Sequence, residues 1–242
     1  MSSPFPRPVS PLAQRLFTWT GILPLGGFLL AHLAINAFAL RGASRFADVL
    51  TAVHRVPGVD VLEVCFIFLP LAIHGALGVW FVVTRTPLAT TRPYPPNVRL
   101  AMRVTGIGVL AFLAMHLPEF RWRAAGARLG GNETADLLAA DLSGTWQGMP
   151  WRGLAYLVGS ACAVFHFGVG SWALFTTLRA GQSSSRARVV AAWGFGAVSL
   201  AIWLGFANVV VMHATGAPLF GVVRAAADSE STGLCPPPKS TR

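Results

Sequence analysis

Five long apolar runs constrain this chain more than any other feature of its sequence. A helix needs about 20 mostly apolar residues to cross the hydrocarbon core of a bilayer. Of the 242 residues, 54% are hydrophobic and only 12% are charged, whereas soluble domains carry roughly a quarter charged residues. We therefore predict an all-α integral membrane bundle of five transmembrane helices. They lie at about residues 16–40, 61–84, 100–120, 153–178 and 189–214.

One such bundle uses most of the chain. We predict a single transmembrane domain over residues 1–225, followed by a disordered, proline-rich tail over residues 226–242. In the loop between the third and fourth runs, the stretch 133–142 is amphipathic. This pattern predicts a short helix along the membrane surface.

Arginine placement predicts the orientation. The N-terminus and the second and fourth loops contain no acidic residue, and all nine acids fall on the opposite side. The short loops decide the positive-inside rule, which places the N-terminus in the cytoplasm and the C-terminus outside. The net charge of +10 does not indicate nucleic-acid binding, because the cations are spread between apolar runs rather than along one stripe. The arginines of the first side are Arg7, Arg15, Arg85, Arg92, Arg99, Arg103, Arg179, Arg186 and Arg188.

Each of the first four apolar runs contains one histidine well inside it: His32, His74, His116 and His166. A histidine is costly in lipid and normally faces the bundle interior or a polar pathway. A single one is equally explained by a hydrogen bond between helices. Four at related depths indicate a shared role.

Depth sorts these histidines into two pairs. At about 1.5 Å per residue from the nearest charge of the outer side, His116 and His32 lie roughly 5 and 14 Å deep, and His74 and His166 roughly 16 and 21 Å deep. Two stacked haems, each with two imidazole ligands, would explain the pattern. No Cys-x-x-Cys-His motif occurs, so such haems are held non-covalently. A proton relay would need carboxylates deep in the spans, and the sequence has none there.

At these residues the sequence resembles the five-helix, two-haem cytochrome b subunits of succinate:quinone oxidoreductases, the succinate dehydrogenases and fumarate reductases. The resemblance covers most of the chain. Its most specific segments are Phe68-Leu69-Pro70-Leu71-x-x-His74-Gly75 and Phe165-His166-Phe167. Further matches are Arg15-Leu16, Gly21, His32-Leu33 with Asn36, Leu62-Glu63-Val64, Arg103-Val104-Thr105-Gly106-Ile107, His116, Gly170 and Trp172.

The resemblance implies two haem b groups with defined ligands. In the family, helices one and three ligate the distal haem, here His32 and His116, and helices two and four the proximal haem, here His74 and His166. It also implies an iron–sulfur subunit and an FAD flavoprotein as partners. This chain has neither a dinucleotide-binding glycine fingerprint nor a cysteine cluster, so it would serve as the quinone-reactive electron-transfer subunit and would not itself act on succinate. Menaquinone is expected, because two-haem members often use it.

Quinone and propionate contacts are predicted only as candidate sets. Quinone chemistry needs a proton acceptor near a haem edge and near water, and an ordinary interfacial charge is the alternative for each candidate. Arginines at the cytoplasmic ends of spans suit haem propionates, although topology explains them as well. Some family members carry a glutamate where this chain has Val164, so no proton pathway is predicted there. The quinone candidates are Glu63, His54, Asp48 and Glu119, and the propionate candidates are Arg15, Arg103 and Arg179.

Three alternatives remain open from the sequence. The first is a cytochrome b subunit of a membrane hydrogenase or formate dehydrogenase, which does not normally place one histidine on each of four successive helices. A small transporter would bind no haem and would carry an acid deep in the bundle. A haem-free anchor would use its histidines only to hold helices together. Replacement of His74 or His166 by alanine separates the last from the haem hypothesis.

Overall fold

The computed structural model describes residues 9–84, 96–123, 130–177 and 184–221. Five helices in it are long and apolar enough to cross a membrane, and no β-strand occurs among the described residues. The predicted all-α bundle of five spans is therefore confirmed, whereas the predicted tail lies outside the described residues. Spans 1 to 5 are Pro11–Arg41, Val59–Val83, Pro96–Arg121, Trp151–Thr176 and Ser185–Thr215.

An odd number of spans places the two ends of the bundle's chain on opposite faces. We call the face where span 1 begins the N-side and the face where span 5 ends the C-side. Which of the two faces the cytoplasm stays a prediction from the arginine placement.

Two further helices form a layer on the C-side. The first loop helix, Ala43–His54, follows span 1, and the second loop helix, Gly131–Ser143, precedes span 4. The second one includes the amphipathic stretch that predicted a helix there, so that prediction is confirmed. The two loop helices approach closely at Gly131, where a Cβ would collide with the carbonyl oxygen of Ala47. Glycine is thus required for this contact.

Side chains from the loop helices bury apolar surface against the spans. Phe46 and Ala135 form one buried cluster with Ala39 at the end of span 1. Leu142 forms a second cluster with Tyr156 of span 4 and Val210 of span 5. These contacts fix the loop layer on the C-side ends of spans 1, 4 and 5.

Span 4 lies at the centre of the bundle and packs against spans 3 and 5. Its Val164 side chain is fully buried, at 0% exposed. Glycines allow the close approach: Gly159 faces the Phe112 ring and Gly168 faces Ser199. Small residues matter at such contacts because lipid tails are as apolar as the helices, so packing rather than water exclusion drives association.

In the described residues, π-helical turns lie within spans 1 and 2 and at the end of span 3, each at or near a proline. Gly21–Leu25 contains Pro24, Val64–Phe68 ends just before Pro70, and Pro118–Arg123 begins with a proline. Proline lacks an N–H and crowds the carbonyl four residues earlier, so the regular ladder is broken there. Such single turns are frequent at functional sites, and the first one brings Gly21 against the ring of His74.

Candidate functional site

Two histidines meet near the C-side of the bundle. The ring centroids of His32 in span 1 and His116 in span 3 are 5.9 Å apart, with ring planes at 80°. Aromatic side chains hold both rings: Phe28 lies 5.2 Å from His32, and Phe112 stacks on His116 at 5.2 Å and 17°. We call His32 and His116 the C-side pair.

The other two histidines meet nearer the N-side. The ring centroids of His74 in span 2 and His166 in span 4 are 6.1 Å apart, with ring planes at 84°. Phe17 of span 1 stacks on the His74 ring at 4.4 Å and 5°. We call His74 and His166 the N-side pair. The fold thus brings span 1 to span 3 at one depth, and span 2 to span 4 at another.

Hydrogen bonds fix the tautomer of both rings in the N-side pair. His74 Nδ1 lies 2.8 Å from the Phe17 carbonyl oxygen, which can only accept, so Nδ1 carries the proton. His166 Nδ1 lies 3.1 Å from Thr105 Oγ1. The Thr105 hydroxyl donates its own proton to the Ala101 carbonyl at 2.6 Å, so it accepts from His166. In both rings the Nε2 lone pair is left as the free ligand atom.

The tautomer of His116 follows in the same way. Its Nδ1 lies 3.0 Å from the Tyr156 hydroxyl oxygen. That hydroxyl donates to Glu119 Oε2 at 3.3 Å, so it accepts the Nδ1 proton of His116. Metal-ligating histidines commonly donate their second ring N–H to an oxygen in this manner, which fixes ring orientation and raises ligand basicity.

The distances within the pairs suit two imidazoles that ligate one metal ion from opposite sides. A metal–imidazole bond is about 2 Å long, so the ring centres of two opposed ligands lie about 6 Å apart. No group of three or more His, Cys, Asp or Glu side chains that could hold a bare ion occurs in the described part of the chain. Two-residue sites need a cofactor that supplies the remaining ligands, as haem b does with its own four nitrogens. The residues therefore fit haem.

Glycines on the neighbouring spans leave room beside the N-side pair. A Cβ at Gly21 would lie 2.5 Å from His74 Cε1, and one at Gly106 would lie 3.1 Å from His166 Cε1. Both distances are shorter than ordinary contacts, so any larger residue would displace the ring. Gly21 of span 1 and Gly106 of span 3 thus lie directly against the ligand candidates.

The two pairs are well separated along the bundle. Eleven residues of span 1 separate His32 from Gly21, and ten residues of span 3 separate His116 from Gly106. At about 1.5 Å per residue, both routes give a separation of about 15 Å. Two cofactors held there would lie at different depths of the membrane.

The predicted quinone candidates fall into two groups. Glu63 and Glu119 are both drawn into ion pairs: Glu63 Oε2 lies 2.9 Å from Arg121, and Glu119 Oε1 lies 2.5 Å from Arg152. Glu119 also reaches the C-side pair through Tyr156. Asp48 and His54 instead lie exposed on the first loop helix, where His54 Nδ1 bonds the Leu50 carbonyl of its own helix.

Two of the three predicted propionate candidates are described by the structure, and both lie on the N-side. Arg15 and Arg103 are exposed, and each is within one helical turn of a contact of the N-side pair, Phe17 and Gly106 respectively. Arg179 lies outside the described residues.

Sequence reasoning missed the side chains that hold the histidines. Tyr156, Thr105, Arg152 and Asp141 were not singled out for contact with the histidines or with their partners. One signal was available: Tyr156 is one of only two tyrosines in the chain and lies inside an apolar run, where a hydroxyl needs a partner. Its partners are 40 and 37 residues away, which local patterns do not reveal.

The tight contact at Gly21 leads to a stability prediction. Gly21→Ala should destabilise the bundle by about 1–3 kcal/mol, because the added methyl group overpacks against His74. Gly27→Ala is the matched control in the same span, since a Cβ there meets nothing within 4 Å. It should be neutral or slightly stabilising. Unfolding from mixed micelles by dodecyl sulfate, followed by circular dichroism, measures both, and equal effects would contradict the packing.

Comparison with known proteins places the chain in a family. No protein-family model matches it, and no solved structure matches it. Over 165 residues it is 34% identical to the succinate dehydrogenase cytochrome b558 subunit of Bacillus subtilis (strain 168), an alignment that covers 68% of this chain and 78% of that protein. The chain is a multi-pass protein of the bacterial cytoplasmic membrane, and it belongs to the family of succinate dehydrogenase and fumarate reductase cytochrome b subunits.

Proposed function

We propose that the chain is a di-haem cytochrome b anchor that passes electrons between the iron–sulfur subunit of a succinate dehydrogenase or fumarate reductase and membrane quinone. This proposal rests on the geometry of two histidine pairs, the C-side pair and the N-side pair. Each has ring centroids about 6 Å apart, at 5.9 and 6.1 Å. Three of the four rings also have Nδ1 committed to an oxygen acceptor.

In this function, the residues of the chain would bind the two haems and orient the histidine rings that ligate them. The four histidines would hold the two haems, and haem iron that is ligated by two imidazoles would supply electron transfer rather than oxygen binding. The Phe17 and Phe112 rings restrict rotation of His74 and His116 by stacking. The spacing of about 15 Å between the pairs along spans 1 and 3 provides two stations between the N-side and the C-side.

The N-side suits docking of the electron donor or acceptor. In this proposal the iron–sulfur subunit docks there, beside the N-side pair, and the FAD flavoprotein binds to that subunit. Arg15 and Arg103 are exposed on that face and would reach the propionates of the nearer haem. Their replacement by glutamine in a complex that still binds both haems would lower the affinity for the iron–sulfur subunit or shift one haem spectrum.

Quinone would react on the C-side. Of the C-side candidates, Glu63 and Glu119 are part of ion pairs, and His54 and Asp48 lie exposed on the first loop helix. If one of these residues carries protons for quinone, its replacement should reduce quinone turnover in a complex that keeps both haems. Extraction of the bound quinone tests whether it is menaquinone.

The orientation can be tested separately from the chemistry. The proposal places the N-side in the cytoplasm, because the arginine-rich segments lie there. An alkaline phosphatase domain fused after Gly221 should be active, whereas one fused in the N-side loop between spans 2 and 3 should be inactive. Activity of the second fusion and not the first would reverse the assignment.

Single ligand variants test the haem assignment. His74→Ala and His116→Ala should each reduce the haem content of the purified complex from about two to about one per chain, because each removes one axial ligand from a different pair. His213→Ala is the control. Its ring lies at the end of span 5 against Phe46, with centroids 5.4 Å apart, and it belongs to neither pair, so both haems should remain.

The two ligand variants should also differ from each other. Each should leave a different haem behind, with its own absorption maximum and midpoint potential. Retention of both haems in either variant, or loss of a haem in His213→Ala, would contradict the assignment of the ligands.

A further inference from the structure

A continuous set of polar side chains connects the C-side pair to the loop layer. His116 Nδ1 bonds the Tyr156 hydroxyl at 3.0 Å, and that hydroxyl bonds Glu119 at 3.3 Å. Glu119 in turn pairs with Arg152 at 2.5 Å, and Arg152 pairs with Asp141 at 3.2 Å. We call these four residues, Tyr156, Glu119, Arg152 and Asp141, the polar chain.

The polar chain is largely sheltered from solvent and joins three elements. Tyr156 of span 4 is 7% exposed, and the side chains of Glu119 and Asp141 are 13% and 14% exposed. Glu119 lies in the π-helical turn that ends span 3, and Asp141 lies in the second loop helix. Two carboxylates, Glu119 and Asp141, share the Arg152 guanidinium in this shielded position. A charge in such surroundings is screened far less than one in water.

Among the residues that the structure describes, the N-side pair has no hydrogen bond to a charged side chain. His74 donates to the carbonyl of Phe17, and His166 donates to the hydroxyl of Thr105. Both acceptors are neutral. The structure therefore gives the two pairs different electrostatic surroundings through the same ring atom, Nδ1.

We infer that Tyr156 is a positioning residue for the C-side haem, which couples the His116 imidazole to the Glu119 carboxylate and so lowers that haem's midpoint potential. The inference rests on the proposed function, since it needs a haem between His32 and His116. An acceptor that is itself bonded to a carboxylate draws on the Nδ1 proton and makes the imidazole a stronger electron donor. Stronger donation and nearby negative charge both stabilise the oxidised iron.

The variant that tests this inference is Tyr156→Phe, measured by redox titration of both haems in the purified complex. It removes the hydroxyl and keeps the ring contacts with Phe112 and Phe120. The midpoint potential of one haem should rise by an amount that corresponds to roughly a tenfold change in the redox equilibrium, which is about 59 mV for one electron. The other haem should keep its potential.

Two matched variants separate the coupling from a general structural effect. Ser160→Ala removes another buried hydroxyl from span 4, one that donates to the Leu157 carbonyl of its own helix at 3.1 Å, and should move neither potential. Thr105→Val removes the hydroxyl acceptor of His166 and leaves, among the described residues, only the backbone of Met102, so it should move the potential of the haem that Tyr156→Phe leaves unchanged. The two haems are thereby told apart without any prior assignment.

The redox titrations test the role of Tyr156 separately from the proposed function. Unchanged potentials in Tyr156→Phe with full haem content, or an equal shift of both haems, would overturn the role of Tyr156 and leave the proposed function intact. A wild-type complex without haem would instead overturn the proposed function. If Tyr156→Phe loses its haem, Glu119→Gln decides, because it keeps the tyrosine and removes the charge. A rise in one potential supports the coupling, and no change overturns it.

Discussion

An imidazole inside a bilayer carries two nitrogens, and each needs a partner, because hydrocarbon supplies none. In this bundle, His74, His116 and His166 give Nδ1–H to an oxygen on another span, and the acceptors are Phe17, Tyr156 and Thr105. Their Nε2 atoms remain, and each ring lies about 6 Å from a second imidazole. Much of the fold follows from this one requirement. It ties span 1 to span 2, span 3 to span 4, and span 4 back to span 3.

The same requirement accounts for the small residues beside the rings. A Cβ at Gly21 would collide with His74, and one at Gly106 would crowd His166, so both glycines belong to the proposed haem site as well as to the packing of the helices. The π-helical turn around Pro24 widens span 1 at the same level. Proline, glycine and histidine in these spans thus serve one site, although each has its own local explanation.

The C-side differs from the N-side in its charges. The described acids on the C-side include two carboxylates that share Arg121 and two that share Arg152, and the loop helices cover part of this region. On the N-side, the described cations Arg15 and Arg103 lie exposed. This asymmetry fits a protein that meets a partner subunit on one face and handles quinone on the other, as proposed.

Hydropathy made the spans predictable, since a bilayer imposes length and apolarity on each helix. The histidine at each depth could be placed because helical rise is nearly constant. Contacts across the bundle could not be placed in this way. Tyr156 meets Glu119 and His116 only after the chain has crossed a loop, and Arg121 meets Glu63 from another span.

The first loop helix, Ala43–His54, was not predicted either. Its residues lack a run long enough to span, and its buried face consists mainly of Phe46 and Ala47. That face is defined by packing against Ala39 and Ala135, which belong to other elements. The buried face of this helix is therefore set by tertiary contacts, which the local sequence pattern does not reveal.

The central claim, two haems held by four histidines, is tested most directly by a reduced-minus-oxidised visible spectrum combined with quantitative haem extraction. The sample is the purified wild-type complex that contains this chain and its partner subunits. The account predicts about two low-spin b haems per chain, because each histidine pair supplies both axial ligands of one haem. One haem per chain would show that one pair is not a ligand pair. A folded complex with no haem would contradict the account and leave the histidines as interhelical hydrogen-bond donors only.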